Sequence, residues 1–326
     1  RLGAGGLAGV YLALAGAVVV AIRLARRRRI AALKQPADGP KSHAGGGLPA
    51  HRRLLWVTAL GLVVVGLGWM AADRGASAPP VSGLRIEVLD IGQGDAILLQ
   101  PPHAPALLVD GGPPGDDLGG KLEAAGVERL GAAIVTHDQS DHAGGVEELL
   151  GNYPVARLVY ARLGRQLLDD ARAAGASPVQ AVAGSELRSG GLRLQVLWPP
   201  HELLAEAMPG TDPNQLALVL LVRWRDFSML LTADAEAEAV PLDPGPVDVL
   251  KVAHHGSDDA GLAALLDRIH PELAVISVGA DNSYGHPTEA TLATLAEHGV
   301  RTLRTDQEGD VIIDIDRHSV EVSGDG

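Results

Sequence analysis

The 326-residue chain contains no cysteine. Disulfides and thiolate chemistry are thereby excluded, and any metal ion must be held by histidine and carboxylate. Positive charge is also scarce: 27 Lys and Arg stand against 40 Asp and Glu, a formal net charge of −13. That balance argues against a broad basic surface for nucleic acid. No internal repeat is strong enough to build on. The chain opens on Arg1 rather than methionine and its first apolar run starts almost at once, which leads us to expect a piece of a longer membrane protein.

What is present is unevenly distributed. Residues 7–22 and 54–70 are uncharged apolar runs, close to the length needed to cross a hydrocarbon core, and we read both as transmembrane spans. A cleaved signal peptide is the competing reading of the first run, but a second span follows it before the polar part begins. Between the runs lie Arg23, Arg26, Arg27, Arg28, Arg29, Lys34, Lys41, Arg52 and Arg53, against Asp38 alone. Lys and Arg near span ends stay on the cytoplasmic side, so the chain beyond the second run is expected to be extracytoplasmic. The organisation read from this is a membrane region over 1–80 and a polar domain over 81–326, joined through a short linker over 74–82 that contains Pro79 and Pro80.

Within that domain, short apolar runs with turn residues between them predict strands over 84–89, 96–100, 106–109, 132–136, 192–198, 216–222, 227–231, 247–253, 274–277 and 311–315. Helical spacing predicts helices over 145–150, 166–174, 262–268 and 288–298. The alternation points to an α/β class: a mixed-sheet sandwich covered by helices.

One segment carries most of the chemistry. The strand ending at Val135 runs into Thr136-His137-Asp138-Gln139-Ser140-Asp141-His142-Ala143-Gly144-Gly145. His137, Asp138, Asp141 and His142 place four candidate ligands within six residues, and His with carboxylate is a usual set for a hydrolytic metal. Three later segments also end apolar strands or follow them with polar residues: Asp234 after Met229-Leu230-Leu231, His254-His255-Gly256-Ser257 after Val249-Leu250-Lys251, and Tyr284-Gly285-His286-Pro287. Ligands at several strand ends can converge on one edge of a sheet.

The motif order T-H-x-x-x-D-H-x-G-G, L-T-x-D, L-K-V-x-H-H-G-S and Y-G-H-P resembles the metallo-β-lactamase superfamily, and within it the C-terminal domain of the ComEC competence proteins. Leu89-Asp90-Ile91-Gly92-Gln93-Gly94-Asp95-Ala96 and Val109-Asp110-Gly111-Gly112 resemble the opening strands of that subfamily. The resemblance implies an αββα sandwich preceded by transmembrane helices. It makes Asp234 a metal-bridging carboxylate, Asp141 and His142 the family's Asp-His pair, and His137 the first histidine of its H-x-H-x-D-H motif. It assigns His255 to metal and His254 to substrate, leaving the order of that pair open. In the mechanism expected from this set, Asp141 serves as ligand or, if displaced, as a proton acceptor, and His254 and His286 donate to a non-bridging phosphate oxygen.

The sequence departs from the pattern in two places. Gln139 stands where the second histidine is expected, with Asp138 beside it, and no histidine is evident in the intervening stretch 214–220. One metal position, Asp141, His142, Asp234 and His255, is therefore complete; the other keeps His137 and Asp234, with Asp138 or Gln139 to supplement them. Fewer imidazoles and more oxygen ligands shift preference from zinc toward manganese or magnesium, so one or two Mn2+ or Mg2+ ions are expected.

The remaining polar residues take plainer readings. Asp90, Asp95 and Asp110 hold turns beside glycine or orient a ligand histidine. Ser257 is a loop residue or phosphate contact rather than a nucleophile activated by Lys251. Asp306 and Glu308 are solvated, and Arg157, Arg162, Arg165, Arg172, Arg301 and Arg304 form a local cationic track or are scattered. The leading function is a metal-dependent phosphodiesterase, implied by the resemblance to be a nuclease degrading one strand of incoming DNA beside a membrane channel. Its partners would be single-stranded DNA, the membrane and the rest of the channel. The alternatives are a phosphodiesterase for a cell-envelope phosphoester and a non-catalytic DNA-binding module.

Overall fold

A computed structural model describes residues 83–324. The two apolar runs, the basic loop, the linker and the boundary at residue 80 lie outside the described residues. Among the described residues no helix is long and apolar enough to cross a membrane.

Side chains alternate across a strand, so a strand buried on both faces feeds two layers at once. In β4 (Leu130–Val135) Ala132 and Ile134 enter one apolar cluster, while Leu130, Ala133 and Val135 enter another. The same division in β10 (Phe227–Leu231) sends Phe227, Met229 and Leu231 inward and Leu230 outward. Three apolar layers result, one between two sheets and one outside each sheet, and helices close the outer two. This is the αββα sandwich.

The first sheet has eight strands in the order β15-β14-β1-β2-β3-β4-β5-β6. They are β1 (Leu84–Val88), β2 (Ile97–Gln100), β3 (Ala106–Val109), β4, β5 (Arg157–Tyr160), β6 (Ser177–Gln180), β14 (Val311–Ile315) and β15 (Val320–Gly324). Helices α1 (Leu118–Ala124), α2 (Ser140–Leu150) and α3 (Arg165–Ala173) cover its outer face. The second sheet has seven strands, β13-β12-β11-β10-β9-β8-β7: β7 (Glu186–Ser189), β8 (Leu192–Trp198), β9 (Val219–Trp224), β10, β11 (Val249–Lys251), β12 (Leu273–Ile276) and β13 (Arg301–Arg304). Helices α5 (Leu262–Ile269) and α6 (Glu289–Glu297) cover it, and the shorter α4 (His201–Glu206) and α7 (Thr305–Glu308) lie in connections.

Strands β3, β4 and β5 are parallel, as are β10, β11, β12 and β13. Each group therefore delivers the loops after its strands to one edge. The two edges meet along a seam, where the Leu218 N–H donates to the Thr136 carbonyl at 3.0 Å and the Ser277 hydroxyl donates to the Gly94 carbonyl at 2.6 Å.

Several predicted elements shift. The strand expected over 216–222 begins at Val219 because residues 213–216 form a 3-10 turn capped by Asp212. The strand expected over 247–253 shrinks to Val249–Lys251, since His254 and His255 adopt left-handed backbone angles. The helix expected from 145 starts at Ser140, placing Asp141 and His142 in its first turn.

Candidate metal centre

The loops at the seam are built for close approach. The N-terminal turn of α2 lies against the Gly111–Gly112 loop, where the Gly111 N–H donates to His142 O (2.8 Å) and the Gly145 N–H to Gly112 O (2.9 Å). A methyl group at Gly145 would overlap the Gly111 carbonyl oxygen, and one at Gly94 would overlap that of Asp141. Glycine at these two positions lets the backbone carrying Asp141 and His142 reach the edge of the first sheet.

Asp234, three residues past the end of β10 and 1% exposed, sits at the centre. Four histidines present Nε2 to it. His142 and His255 approach Oδ1 at 3.1 and 3.8 Å; His137 and His254 approach Oδ2 at 3.9 and 3.8 Å. In every case Nδ1 is engaged on the far side of the ring. His142 Nδ1 donates to Asp110 (2.9 Å), His255 Nδ1 to the Ser277 carbonyl (2.9 Å), His254 Nδ1 to Glu236 (2.8 Å) and His137 Nδ1 to the Thr136 hydroxyl (3.0 Å). A histidine that donates from Nδ1 offers the lone pair of Nε2, the usual arrangement around a metal ion.

Asp141, His142, Asp234 and His255 each bring one ligand atom to within 4.8 Å of the others. His142 Nε2, His255 Nε2 and both carboxylate oxygens of Asp234 are buried without a hydrogen-bond partner. Buried polar atoms are normally satisfied, and a divalent cation satisfies all of these together, so the donor set fits the ion the fold implies. His137 lies on the other oxygen of Asp234, with its Nε2 also 3.3 Å from Gln139 Oε1. Asp138 is exposed and belongs to neither candidate cation group. His286 stands beside His254, ring centroids 5.6 Å apart, with Nδ1 buried and unpaired.

Electrostatics follow from this crowding. Burial pushes the Asp234 carboxyl up, but His142, His255 and Lys251 outweigh it and hold the group well below the usual range. Burial pushes His142 down, and Asp234 and Asp110 more than reverse that, leaving it well above an ordinary histidine. His255 is likewise depressed by burial and then raised by Asp141, Asp95 and Asp234, to about 9. His137 has weaker support: burial and the neighbouring His142 keep it low. His254 is raised chiefly by its hydrogen bond to Glu236.

Behind the ligands are residues whose roles sequence reading left open or missed. Asp110 does more than hold a turn: it accepts from the Thr136 N–H (2.8 Å), the Thr136 hydroxyl (2.7 Å) and His142. Asp95 lies 3.5 Å from His255 Nδ1 and forms a fully buried ion pair with Lys251. Asp90 is exposed, with its N–H donating to Asp310, and keeps the turn role. The Ser257 hydroxyl donates to Glu236 at 2.6 Å, so it is part of the His254 support and not a nucleophile. Glu236 and Ser277 carried no sequence signal beyond lying near the motifs. Asp306 is not simply solvated, since it forms a two-point pair with Arg304 at 2.6 and 2.9 Å.

The arginines do not form one track. Arg157, Arg162, Arg165 and Arg172 belong to β5, α3 and the loop between them, near the β6 end of the first sheet, which residues 181–185 join to β7 of the second. Arg301 and Arg304 lie on β13, at the opposite edge of the second sheet.

The Metallo-beta-lactamase superfamily profile matches residues 89–280. ComE operon protein 3 of Bacillus subtilis is 33% identical over 256 residues, covering 69% of this chain and 32% of the relative. Competence protein ComA of Neisseria gonorrhoeae is 28% identical over 252 residues, covering 75% and 34%. The chain thus spans about a third of the length of these curated relatives. Among solved structures, the metallo-beta-lactamase fold protein YhfI from Bacillus subtilis superimposes with a TM-score of 0.51 at 10% identity, over 72% of this chain and 100% of that one. The similarity to competence proteins read from the motif order holds, and with a family match across more than half of its residues the chain belongs to the metallo-beta-lactamase superfamily.

Proposed function

We propose that this chain is a metal-dependent phosphodiesterase acting on DNA, degrading one strand as the other is taken up. The observation that carries the hydrolytic part is the set of buried, unpartnered ligand atoms on Asp234, His142 and His255 with Asp141 beside them. The similarity to competence proteins supports the choice of DNA.

Asp141, His142, Asp234 and His255 would hold a divalent ion. Such an ion acidifies a water and polarises a phosphoryl oxygen. The mixed donor set, two imidazoles with two carboxylates, favours manganese or magnesium over zinc. Near the other oxygen of Asp234, His254 is oriented by Glu236, which also raises its pKa; as the imidazolium, protonated on both ring nitrogens, it would donate from Nε2 to a phosphate oxygen. His286, whose ring meets that of His254 edge-on at 5.6 Å, would be the second donor. His137 borders a groove of about 200 Å³ lined also by Asp138, Arg162, Thr211 and Leu216, through which a strand could leave the site. We place the domain on the extracytoplasmic face of the membrane, working with the remainder of an uptake channel.

The test is digestion of single-stranded DNA and of a small chromogenic phosphodiester by the chain in manganese, magnesium or zinc, with Asp234→Ala in parallel. Cleavage of DNA in manganese or magnesium, lost in Asp234→Ala, is expected. Preference for the small ester, or no cleavage of any nucleic acid with any of the metals, overturns the DNA reading; a stoichiometric two-zinc site overturns the metal preference.

A further inference from the structure

Large apolar side chains exposed singly are unremarkable on a protein surface, so their placement is what carries information. Among the described residues four stand out: Val179, Met208, Tyr284 and Val320. Val179 and Val320 lie on the edge strands β6 and β15. The other two, each 71% exposed, lie in loops near the metal centre. Met208 precedes Gly210 and Thr211, which line the groove beside His137. Tyr284 lies in the connection between β12 and α6, two residues from His286.

The Tyr284 ring is stacked over His286, with centroids 6.1 Å apart and planes 30° from parallel. His286 meets His254 edge-on at 5.6 Å, and His254 Nε2 lies 3.8 Å from Asp234. An unbroken series of rings therefore leads from the Asp234 carboxylate to an aromatic surface in water. The loop that carries it is pinned. The Asn282 side-chain amide donates to the carbonyls of Gly279 and His286, both at 2.9 Å, and its oxygen accepts from the His286 N–H at 3.2 Å. The Thr288 N–H donates to the Gly256 carbonyl at 2.9 Å, tying the loop to the turn that bears His254 and His255.

We propose that Tyr284 is a stacking platform for a nucleobase of the substrate strand, next to the phosphodiester held at the metal centre. The proposal rests on the phosphodiesterase reading above and names its specificity element: a single strand with accessible bases. Every base has a π face, so an aromatic platform binds strands without reading their sequence. Such a contact also suits a strongly acidic protein, because it draws on stacking rather than on a basic surface. Double-stranded DNA, whose bases are already stacked, gains nothing from it.

The test is equilibrium binding of a labelled single-stranded 12-mer and of an abasic deoxyribose-phosphate strand of the same length, measured by anisotropy on the full chain with calcium present to suppress cleavage. Wild type should bind the base-bearing strand more tightly. Tyr284→Ala should weaken that binding about tenfold, within the range for one base on one aromatic ring, and change abasic binding less than about twofold, since its phosphate contacts are intact. Tyr284→Phe should retain wild-type affinity. Equal loss on both strands, or no loss on either while wild type binds DNA, overturns the platform and leaves the phosphodiesterase reading standing. Failure of wild type to bind either strand overturns both.

Discussion

Asp110 and His142 meet at 2.9 Å, carboxylate oxygen to Nδ1, with both side chains at most 1% exposed. The contact fixes which ring nitrogen of His142 carries the proton and turns Nε2 toward Asp234. Asp110 serves three donors with two oxygens, whereas an amide has one oxygen to offer. Asp110→Asn should therefore lower metal affinity by about 10–100-fold, the usual cost of losing a partner behind a ligating histidine. Titration calorimetry with manganese reads this directly, and an unchanged affinity with the fold intact rejects the orienting role.

Chelation should destabilise the protein through the same atoms. At a free metal concentration one hundred times the dissociation constant, wild type should gain about 2.7 kcal/mol over the chelated form. Asp234→Ala, lacking the carboxylate at the centre of the candidate ligand group, should show no metal-dependent shift in Tm. A metal-dependent Tm rise preserved in that variant would place the ion elsewhere.

Lys251 and Asp95 form an ion pair buried to 0 and 1% exposure behind His255. Removing one charge strands the other in the interior, at a cost of about 3–5 kcal/mol. Lys251→Met should lose that much in urea denaturation of metal-free protein, and adding Asp95→Asn should recover part of it. A single variant as stable as wild type refutes the pairing.

Tyr153, partly buried between α2 and β5, donates its hydroxyl to the Val127 carbonyl. Burial, with Glu123 and Glu128 nearby, pushes its pKa up to about 12 from 10.0. The folded state keeps this proton after the unfolded chain begins to lose it, so the contribution is whole below about pH 10 and falls as pH rises toward 12. Tyr153→Phe should be less stable than wild type at pH 8, and the gap should narrow above pH 10. A gap constant across that range contradicts the shift.

Arg162 is exposed beside the groove that His137 and Asp138 border. If a phosphate of the strand lies there, Arg162→Ala should weaken single-stranded DNA binding evenly across sequences and reduce the slope of log affinity against log salt by about 0.7. An unchanged slope removes Arg162 from the strand's path.

The strand-end residues of the site were readable because each comes directly after an apolar run, and in such a fold parallel strands bring their C-terminal loops to one edge. The residues behind them were not. Glu236 and Ser277 act across the gap between loops that are neighbours only in space, and Asp95 is linked to Lys251 over more than a hundred and fifty residues of chain. The start of α2 was obscured by Gly144 and Gly145. Glycine is a poor helix former, demanded here by the approach to the Gly111 loop. Strands β5, β6, β7, β13 and β15 were missed for a simpler reason: each is short with too few apolar residues to make a run, and all but β5 are sheet-edge strands whose side chains are mostly exposed or half-buried.

The seam position of the centre has a mechanical consequence. Asp141 and His142 are carried by the eight-stranded half and Asp234 and His255 by the seven-stranded half, so an ion shared among them would act as a tie rod between the two layers, adding to their apolar packing and to the few polar contacts across the seam. Loss of the ion should be felt first as loosening across that joint, with faster amide exchange at Leu218 and Gly279, whose N–H groups bridge the halves, before either sheet begins to come apart.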